Sequence, residues 1–409
     1  MPTLLSLNSY HYRRGGSETV YFNHAALFAD HGWTTRSYAM RHPDNLPCAE
    51  EAFFPECIDY GGAGGSKRNL GNALKIIWSQ EARDNLARLL DRDAVDVAHV
   101  HSIYHHLSPS VLAELKQRRL PVVMTAHDLK LACPNNKMLN AGGVCERCKG
   151  GRVWNAVRYR CIKDSALASS VIAVESAVHK ALNLYGRHLD RIIAPSRFYR
   201  AKLIEWGWPE EQIVHIPNFV DAPSSDRLEP GRGEHVLYFG RLAPEKGLET
   251  LIRAAARSRR PVRLAGTGPI EEPLRDLAMT LDAPVTFLGF LAGAALWAEV
   301  EEARAVVLPS EWYENGPMSV IEAFVRGRPL IGARIGGIPE LIVEDQTGWS
   351  FESGNIDDLA DKLDRVSRTK ADELEAMALA TRSFALKHHS REAYYGAMSA
   401  LYREIGVAA

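Results

Sequence analysis

Short apolar runs alternate with longer amphipathic segments along nearly the whole chain. TLLSLN precedes Glu18–His31, VDVAHVH precedes Ser108–Gln117, and PVVMTAH precedes a stretch rich in cysteine. The rhythm resumes with RIIAPS, IVHIPN, HVLYFGR, PVRLAG, PVTFLGF, ARAVVLPS and RPLIGAR, each followed by a helical pattern. Buried strands that each feed a helix build parallel sheets. At 409 residues the chain is too long for one typical domain. The pattern therefore predicts an α/β protein of two doubly wound, Rossmann-like units, the first over 1–194 and the second over 195–387. A last helix is expected near Ser390–Ile405, where Tyr394, Met398, Leu401 and Ile405 recur at helical spacing as packing residues. Open sheets of this kind bind ligands at the carboxyl ends of their strands, so two such units facing a central cleft would put their chemistry on the loops that follow strands.

Four of those loops carry candidate residues. In EWYENGPMSVIEAF, Pro317 suits the first position of a helix, which leaves Glu314 on the preceding loop and Glu322 one to two turns in. Free N–H groups between two carboxylates suit a ligand that is both anionic and hydroxylated. An ordinary loop-to-helix start with two exposed glutamates fits the same letters. After the first strand, RRGGSE places Gly15 and Gly16 where the backbone could approach a ligand, or simply turn, before a helix from about Ser17. His127-Asp128 closes PVVMTA, where a histidine is either a functional group or a satisfied structural one. GRLAPEKG sets Arg241 and Lys246 on one glycine-bounded loop, able to clamp a diphosphate or to stand as exposed cations.

Charge changes the picture in one region. Residues 1–194 carry 24 Lys+Arg against 18 Asp+Glu, while the remainder carries 25 against 32. Lys116–Lys163 holds 11 basic residues and only Asp128 and Glu146 on the acidic side, which is a basic surface or a solvated face. No stretch supplies eighteen uncharged apolar residues and the N-terminus lacks the basic-then-apolar order of a secretory signal, so a cytoplasmic protein is expected. In that setting Cys133, Cys145, Cys148 and Cys161, spaced C-x11-C-x2-C-x12-C, suggest metal rather than disulfides. Gly142, Gly143, Gly150 and Gly151 permit the tight turns that wrap a tetrahedral ion, and structural zinc is the expectation, against four reduced thiols or an iron–sulfur cluster. Lys149, Arg152, Trp154, Arg158, Tyr159, Arg160 and Lys163 interleave cations with aromatics, which suits an anionic, partly apolar partner such as a membrane surface or a lipid diphosphate. No nucleic-acid partner is expected, because no nucleic-acid fold is signalled and the rest of the chain is not basic.

Taken in order, GGSE, HD, PSRF at Ser196, PNFVD at Asn218, GRLAPEKG, GTGP, ENGPMSVIE and GGIPELI resemble the retaining glycosyltransferases of family 4, over nearly the whole chain. The resemblance implies the two-domain GT-B fold, with the segment 388–409 crossing back onto the first domain. It implies a nucleotide-sugar donor held by Glu314 through hexose hydroxyls, by Glu322 through the ribose, and by the amides from Asn315 through Gly316 and Pro317 to Met318. Arg241 and Lys246 would hold the diphosphate, Gly16 would close over it, and His127 would lie near the reacting sugar. Because preorganised cations stabilise charge where it develops on the leaving group, no cofactor is expected for catalysis. The sequence offers no evident carboxylate nucleophile, so retention would follow from same-face displacement. Many relatives carry a bulky residue where this chain has Asn315-Gly316, which leaves sugar choice open. The cysteine insertion resembles a subset of bacterial polysaccharide glycosyltransferases, and a glycan or polyprenyl-diphosphate-linked acceptor is expected, with peripheral contact at the inner membrane face through 149–163. The alternatives are a nucleotide-sugar epimerase or a phosphorylase of the same fold, or a non-catalytic zinc-bearing binding module.

Overall fold

The computed structural model describes residues 1–58, 66–223 and 233–408. The chain divides into two compact units, Met1–Ile216 with Tyr395–Ala409, and Pro217–Tyr394.

The first unit is built on strands β1 (Thr3–Leu7), β2 (Thr34–Tyr38), β3 (Val97–Val100), β4 (Val122–Thr125), β7 (Arg191–Ala194) and β8 (Ile213–His215), with a small hairpin of β5 (Leu139–Asn140) and β6 (Gly143–Val144). The six strands form one parallel sheet in the order β2-β1-β3-β4-β7-β8. β1, β3, β4 and β7 read as continuous apolar runs because both faces of the sheet are covered by helices.

The second unit carries β9 (Val236–Phe239), β10 (Val262–Ala265), β11 (Val285–Gly289), β12 (Ala305–Leu308), β13 (Leu330–Ala333) and β14 (Gly348–Phe351). Its order, β11-β10-β9-β12-β13-β14, is that of a doubly wound, Rossmann-like sheet, and the direction of winding reverses between β9 and β12. Its core runs from Val220 through the strands to Ala385 and buries Leu237, Leu264, Phe324, Ile331 and Phe351 completely.

Two boundaries differ from the sequence reading. RIIAPS supplies β7, the last strand inside the expected first unit, but IVHIPN, assigned above to a unit at 195–387, is β8, and it completes the first sheet: Val123 pairs with Arg191 and Ile192 with Ile213. The division falls at Ile216/Pro217 because the strand run continues past Ala194 before the chain leaves. At the other end, return to the first unit begins at Tyr395 and not at residue 388. His389 Nδ1 is bonded to the Asn218 carbonyl at 2.8 Å, the Tyr394 ring packs 4.6 Å from Phe219, and both keep 388–394 with the second unit. Beyond that point Met398 and Leu401 are buried in the first, as helical spacing predicted, Ile405 is half-buried, and Tyr402, which the spacing did not single out, is buried with them.

Candidate active site

In the second unit the loops after β9 and β12 meet at the reversal of the sheet. Pro244–Lys246 makes one short turn that ends at Gly247, whose φ of 66° and position against the next loop exclude a side chain: a Cβ there would lie 1.9 Å from the Pro309 carbonyl oxygen. The Glu311 N–H donates to the Glu245 carbonyl at 3.0 Å, and Thr250 Oγ1 donates to Glu311 Oε1 at 2.6 Å, tying the two loops together. Lys246 is thereby delivered to Glu314, with Nζ 2.6 Å from Oε1.

That carboxylate is held more closely than the sequence suggested. Glu314 is 6% exposed, and its Oε1 also accepts from Ser310 Oγ at 2.6 Å and from the Trp312 indole N–H at 2.8 Å. Oε2 accepts no hydrogen bond among the described residues. The backbone of the loop is fixed as well. Gly337 N–H donates to the Glu314 carbonyl at 2.8 Å, Asn218 Nδ2 donates to the Gly316 carbonyl at 3.2 Å, and Gly336 sits so close that a Cβ would lie 2.5 Å from both the Glu314 nitrogen and its oxygen. Ser310, Trp312 and Gly336 were not identified from sequence as holding Glu314; the available signal was their place on loops that follow β12 and β13.

The remaining predicted residues of this unit lie apart from that cluster of bonds. Arg241 is exposed on the same loop as Lys246, and its guanidinium forms no ion pair among the described residues, although its carbonyl accepts from Tyr238 at 2.8 Å. Pro317 precedes the helix Met318–Phe324 instead of occupying its first turn, and Asn315, Gly316 and Met318 are half-buried around it. Glu322 is half-buried within that helix; burial raises its carboxyl above the ordinary range, with the charge of Arg326 acting the other way.

In the first unit, Gly15 caps the helix Gly16–Asp30, and its carbonyl receives both the N–H and the hydroxyl of Thr19 at 3.1 Å, while Gly15 and Gly16 stay exposed. His127, beyond β4, is not isolated. Its Nε2 lies 2.9 Å from His101 Nδ1, and the two rings stack at 14°. His101 stacks in turn on His99, whose Nδ1 and Nε2 lie 2.7 Å from the Tyr402 hydroxyl and from Thr125 Oγ1. His24 Nε2 joins the Tyr402 hydroxyl at 3.2 Å. Burial pushes His127 down to about 4 and His24 to about 3, and holds His99 and His101 well below the usual histidine range, so the row is neutral at pH 7. The alternation His99-Val100-His101 at the end of β3 was the sequence signal for this row. Asp128 is raised to about 6 by burial, opposed by the Lys130 N–H, the Lys130 charge and Asn136.

The four clustered cysteines are free thiols that line one small cavity together. Burial pushes Cys148 up to about 12, with Cys133, Cys161 and Cys145 acting in the same direction. Among the described residues, no three His, Cys, Asp or Glu side chains stand in a geometry that would hold a metal ion. Nearby, Trp154 is 58% exposed, and Arg152, Arg158, Arg160 and Lys163 are exposed around it.

Comparison with known proteins decides the family. Residues 14–223 match the model described as Glycosyltransferase Family 4, and residues 223–383 match that of Glycosyl transferases group 1. The chain belongs to Glycosyltransferase Family 4. It is 34% identical over 165 residues to sulfoquinovosyl transferase of Arabidopsis thaliana, covering 39% of this chain and 32% of that protein. To an uncharacterized glycosyltransferase of Methanocaldococcus jannaschii it is 27% identical over 308 residues, 71% of this chain and 72% of the other. The chain thus spans about a third of the first relative and under three quarters of the second. In fold it is similar to HepE of Anabaena, solved with UDP-glucose, at a TM-score of 0.66 and 17% identity over 98% of this chain and 99% of that one. Two Rossmann-like units with these neighbours make this family 4 chain a GT-B protein. No helix among the described residues is long and apolar enough to cross a membrane.

Proposed function

We propose that this chain transfers a hexose-type sugar, with retention of configuration, from a nucleoside-diphosphate sugar to a glycan or polyprenyl-diphosphate-linked acceptor of a bacterial surface polysaccharide. The observation that carries the reading is the pairing of Lys246 with Glu314 at the reversal of the second sheet, where loops 68 residues apart present a cation and an anchored carboxylate together. In this reading Arg241 and Lys246 stabilise charge on the departing diphosphate, Glu314 receives sugar hydroxyls through Oε2, and Glu322 receives the ribose. In this reading Glu314 accepts hydroxyls and no carboxylate is given the role of nucleophile, so retention would follow from same-face displacement. His127, kept neutral by burial, offers a hydrogen bond to a sugar or acceptor hydroxyl.

The proposed step uses protein cations at the leaving group and no catalytic metal. Structural zinc is proposed separately for Cys133, Cys145, Cys148 and Cys161. Four sulfurs around one cavity suit a tetrahedral ion in donor type, and the thiols would have to draw together to hold it. The exposed cations and aromatics at 149–163 are proposed to rest at an anionic membrane surface, with the protein otherwise cytoplasmic.

The test is a thermal-shift screen of nucleotide sugars followed by an acceptor assay. A ligand at a hundred times its Kd adds about 2.7 kcal/mol to stability, and the stabilising sugar nucleotide should release its diphosphate only when an acceptor glycan is present. No stabilisation would point to a binding module. Isomerised donor without acceptor would point to an epimerase, and strict dependence on inorganic phosphate to a phosphorylase.

A further inference from the structure

The first unit contains a cavity of about 450 Å³ that none of the assigned roles uses. It is walled by the segment after β4, by the Gly150-Gly151 turn of the cysteine insertion, by the end of the helix Ala166–Ala181 and the turn after it, and by Trp206 and Trp208 ahead of β8. The volume is in the range of small-molecule sites.

Three features of the lining describe its occupant. The first is charge. Lys130 and Lys180 line the cavity and no carboxylate does. Lys130 is neutralised from behind by Glu175, 2.6 Å from its Nζ and buried with it. Among the described residues Lys180 has no carboxylate partner and donates only to the Ala132 carbonyl, at 3.0 Å. The second is a pair of orphaned polar atoms. Among the described residues the indole nitrogen of Trp206 is buried with no hydrogen-bond partner, and so is the hydroxyl of Tyr185, a residue 8% exposed. Other indoles find acceptors: Trp208 donates to the Leu131 carbonyl at 3.1 Å, and Trp349 to Asp345 at 2.8 Å. Buried donors left over on residues that wall a cavity call for a partner from outside the chain. The third is the presence of Trp206 and Trp208, flat apolar surfaces beside a cation; Lys180 Nζ lies 6.0 Å from the centre of the Trp206 ring.

We propose that this cavity binds an anionic sugar, a pyranose bearing a carboxylate or a phosphate. Lys180 takes the anion, the Trp206 N–H and the Tyr185 hydroxyl take ring oxygens, and the tryptophan faces take the C–H face of the ring. The same chemistry arises from a uronic acid within a glycan or from a free sugar phosphate.

Calorimetric titrations with methyl glucuronide, glucose 1-phosphate, methyl glucoside and inorganic phosphate test it, using the full chain and the variants Lys180→Gln, Trp206→Phe and Lys246→Ala. At least one anionic sugar should bind ten-fold or more tightly than methyl glucoside. Lys180→Gln should weaken that binding at least ten-fold and Trp206→Phe several-fold, with melting temperatures near wild type and the thermal shift given by nucleotides unchanged. Preference for the glucuronide would identify a glycan residue, and preference for glucose 1-phosphate a free metabolite. Equal binding of neutral and anionic sugars, inorganic phosphate binding as tightly as either sugar, or no binding by any probe would overturn the proposal. So would affinity lost in Lys246→Ala but kept in Lys180→Gln, which would move the ligand to the nucleotide site. Because nucleotide shift is read in the same variants, failure here leaves the transferase reading separately testable.

Discussion

Glu314 shows how much one carboxylate can depend on its surroundings. Lys246, Ser310 and Trp312 converge on a single oxygen, so each side chain acts on the position of the carboxylate as well as on its charge. Ser310→Ala removes one neutral donor from an oxygen that keeps two others, and should cost about 1 kcal/mol in chemical denaturation. Lys246→Ala removes the charged donor and the proposed contact to the leaving group. Turnover should fall roughly thirty- to nine-hundred-fold, an activation free energy higher by about 2–4 kcal/mol. Near-normal turnover in that variant would remove the diphosphate role. Gly336→Ala tests the loop from its other side. At φ 60°, with the Glu314 backbone 2.5 Å from the new Cβ, the loop must shift, and we expect a loss of about 1–3 kcal/mol in stability with a weaker nucleotide shift. A melting curve and nucleotide response equal to wild type would show that Gly336 does not set the position of Glu314.

At the scale of elements, the row of imidazoles follows from two strands and a helix: β3 supplies His99, the residue after it is His101, β4 leads to His127, and the helix Gly16–Asp30 supplies His24. Held neutral below their ordinary range, these groups bind fewer protons in the folded chain than in the unfolded one between about pH 6.5 and 4. Stability should therefore fall as pH drops through that window, by up to about 1.4 kcal/mol per pH unit for each fully buried histidine. Asp128 works in the opposite sense. Its folded-state value of about 6 means the native chain keeps a proton that the unfolded chain releases, so Asp128→Asn should make the acid loss steeper. Urea midpoints flat from pH 6.5 to 4.5 would show the row to be solvated and charged. Sequence pattern revealed most of the elements that build the two units. β1, β3, β4, β9, β10, β12 and β13 lie in the quoted apolar runs because they are interior strands with largely buried side chains, and β11, an edge strand, was caught by its apolar letters alone. β2, TTRSY, escaped because it lies at the edge of the sheet and is half-exposed. β8 was seen as a strand but placed in the wrong unit, since an apolar run does not record which sheet it joins. The residues of the candidate site were readable by type and order. The bonds from Ser310 and Trp312 were not, because they depend on how a loop closes after β12.

The whole molecule joins two units with separate sheets and separate cores, and its proposed ligands divide between them: the nucleotide at Lys246 and Glu314 in the second, zinc at the cysteines in the first. If each ligand stabilises only the unit that binds it, the two should be separable in one melting experiment. A nucleotide sugar should raise the transition of the second unit and leave the first where it was. A chelator should lower the first and leave the nucleotide-dependent shift intact. As purified, the protein should contain about one zinc per chain, with sulfur-only coordination at about 2.3 Å by X-ray absorption, and Cys148→Ser should lose it. The insertion continues directly from the His127 strand, so the variant should lose glycosyl transfer more than nucleotide affinity. Metal-free protein with full transfer activity would end the zinc proposal. A bound ion whose removal lowered the nucleotide shift as much as transfer would keep the metal but end its assignment to the first unit alone.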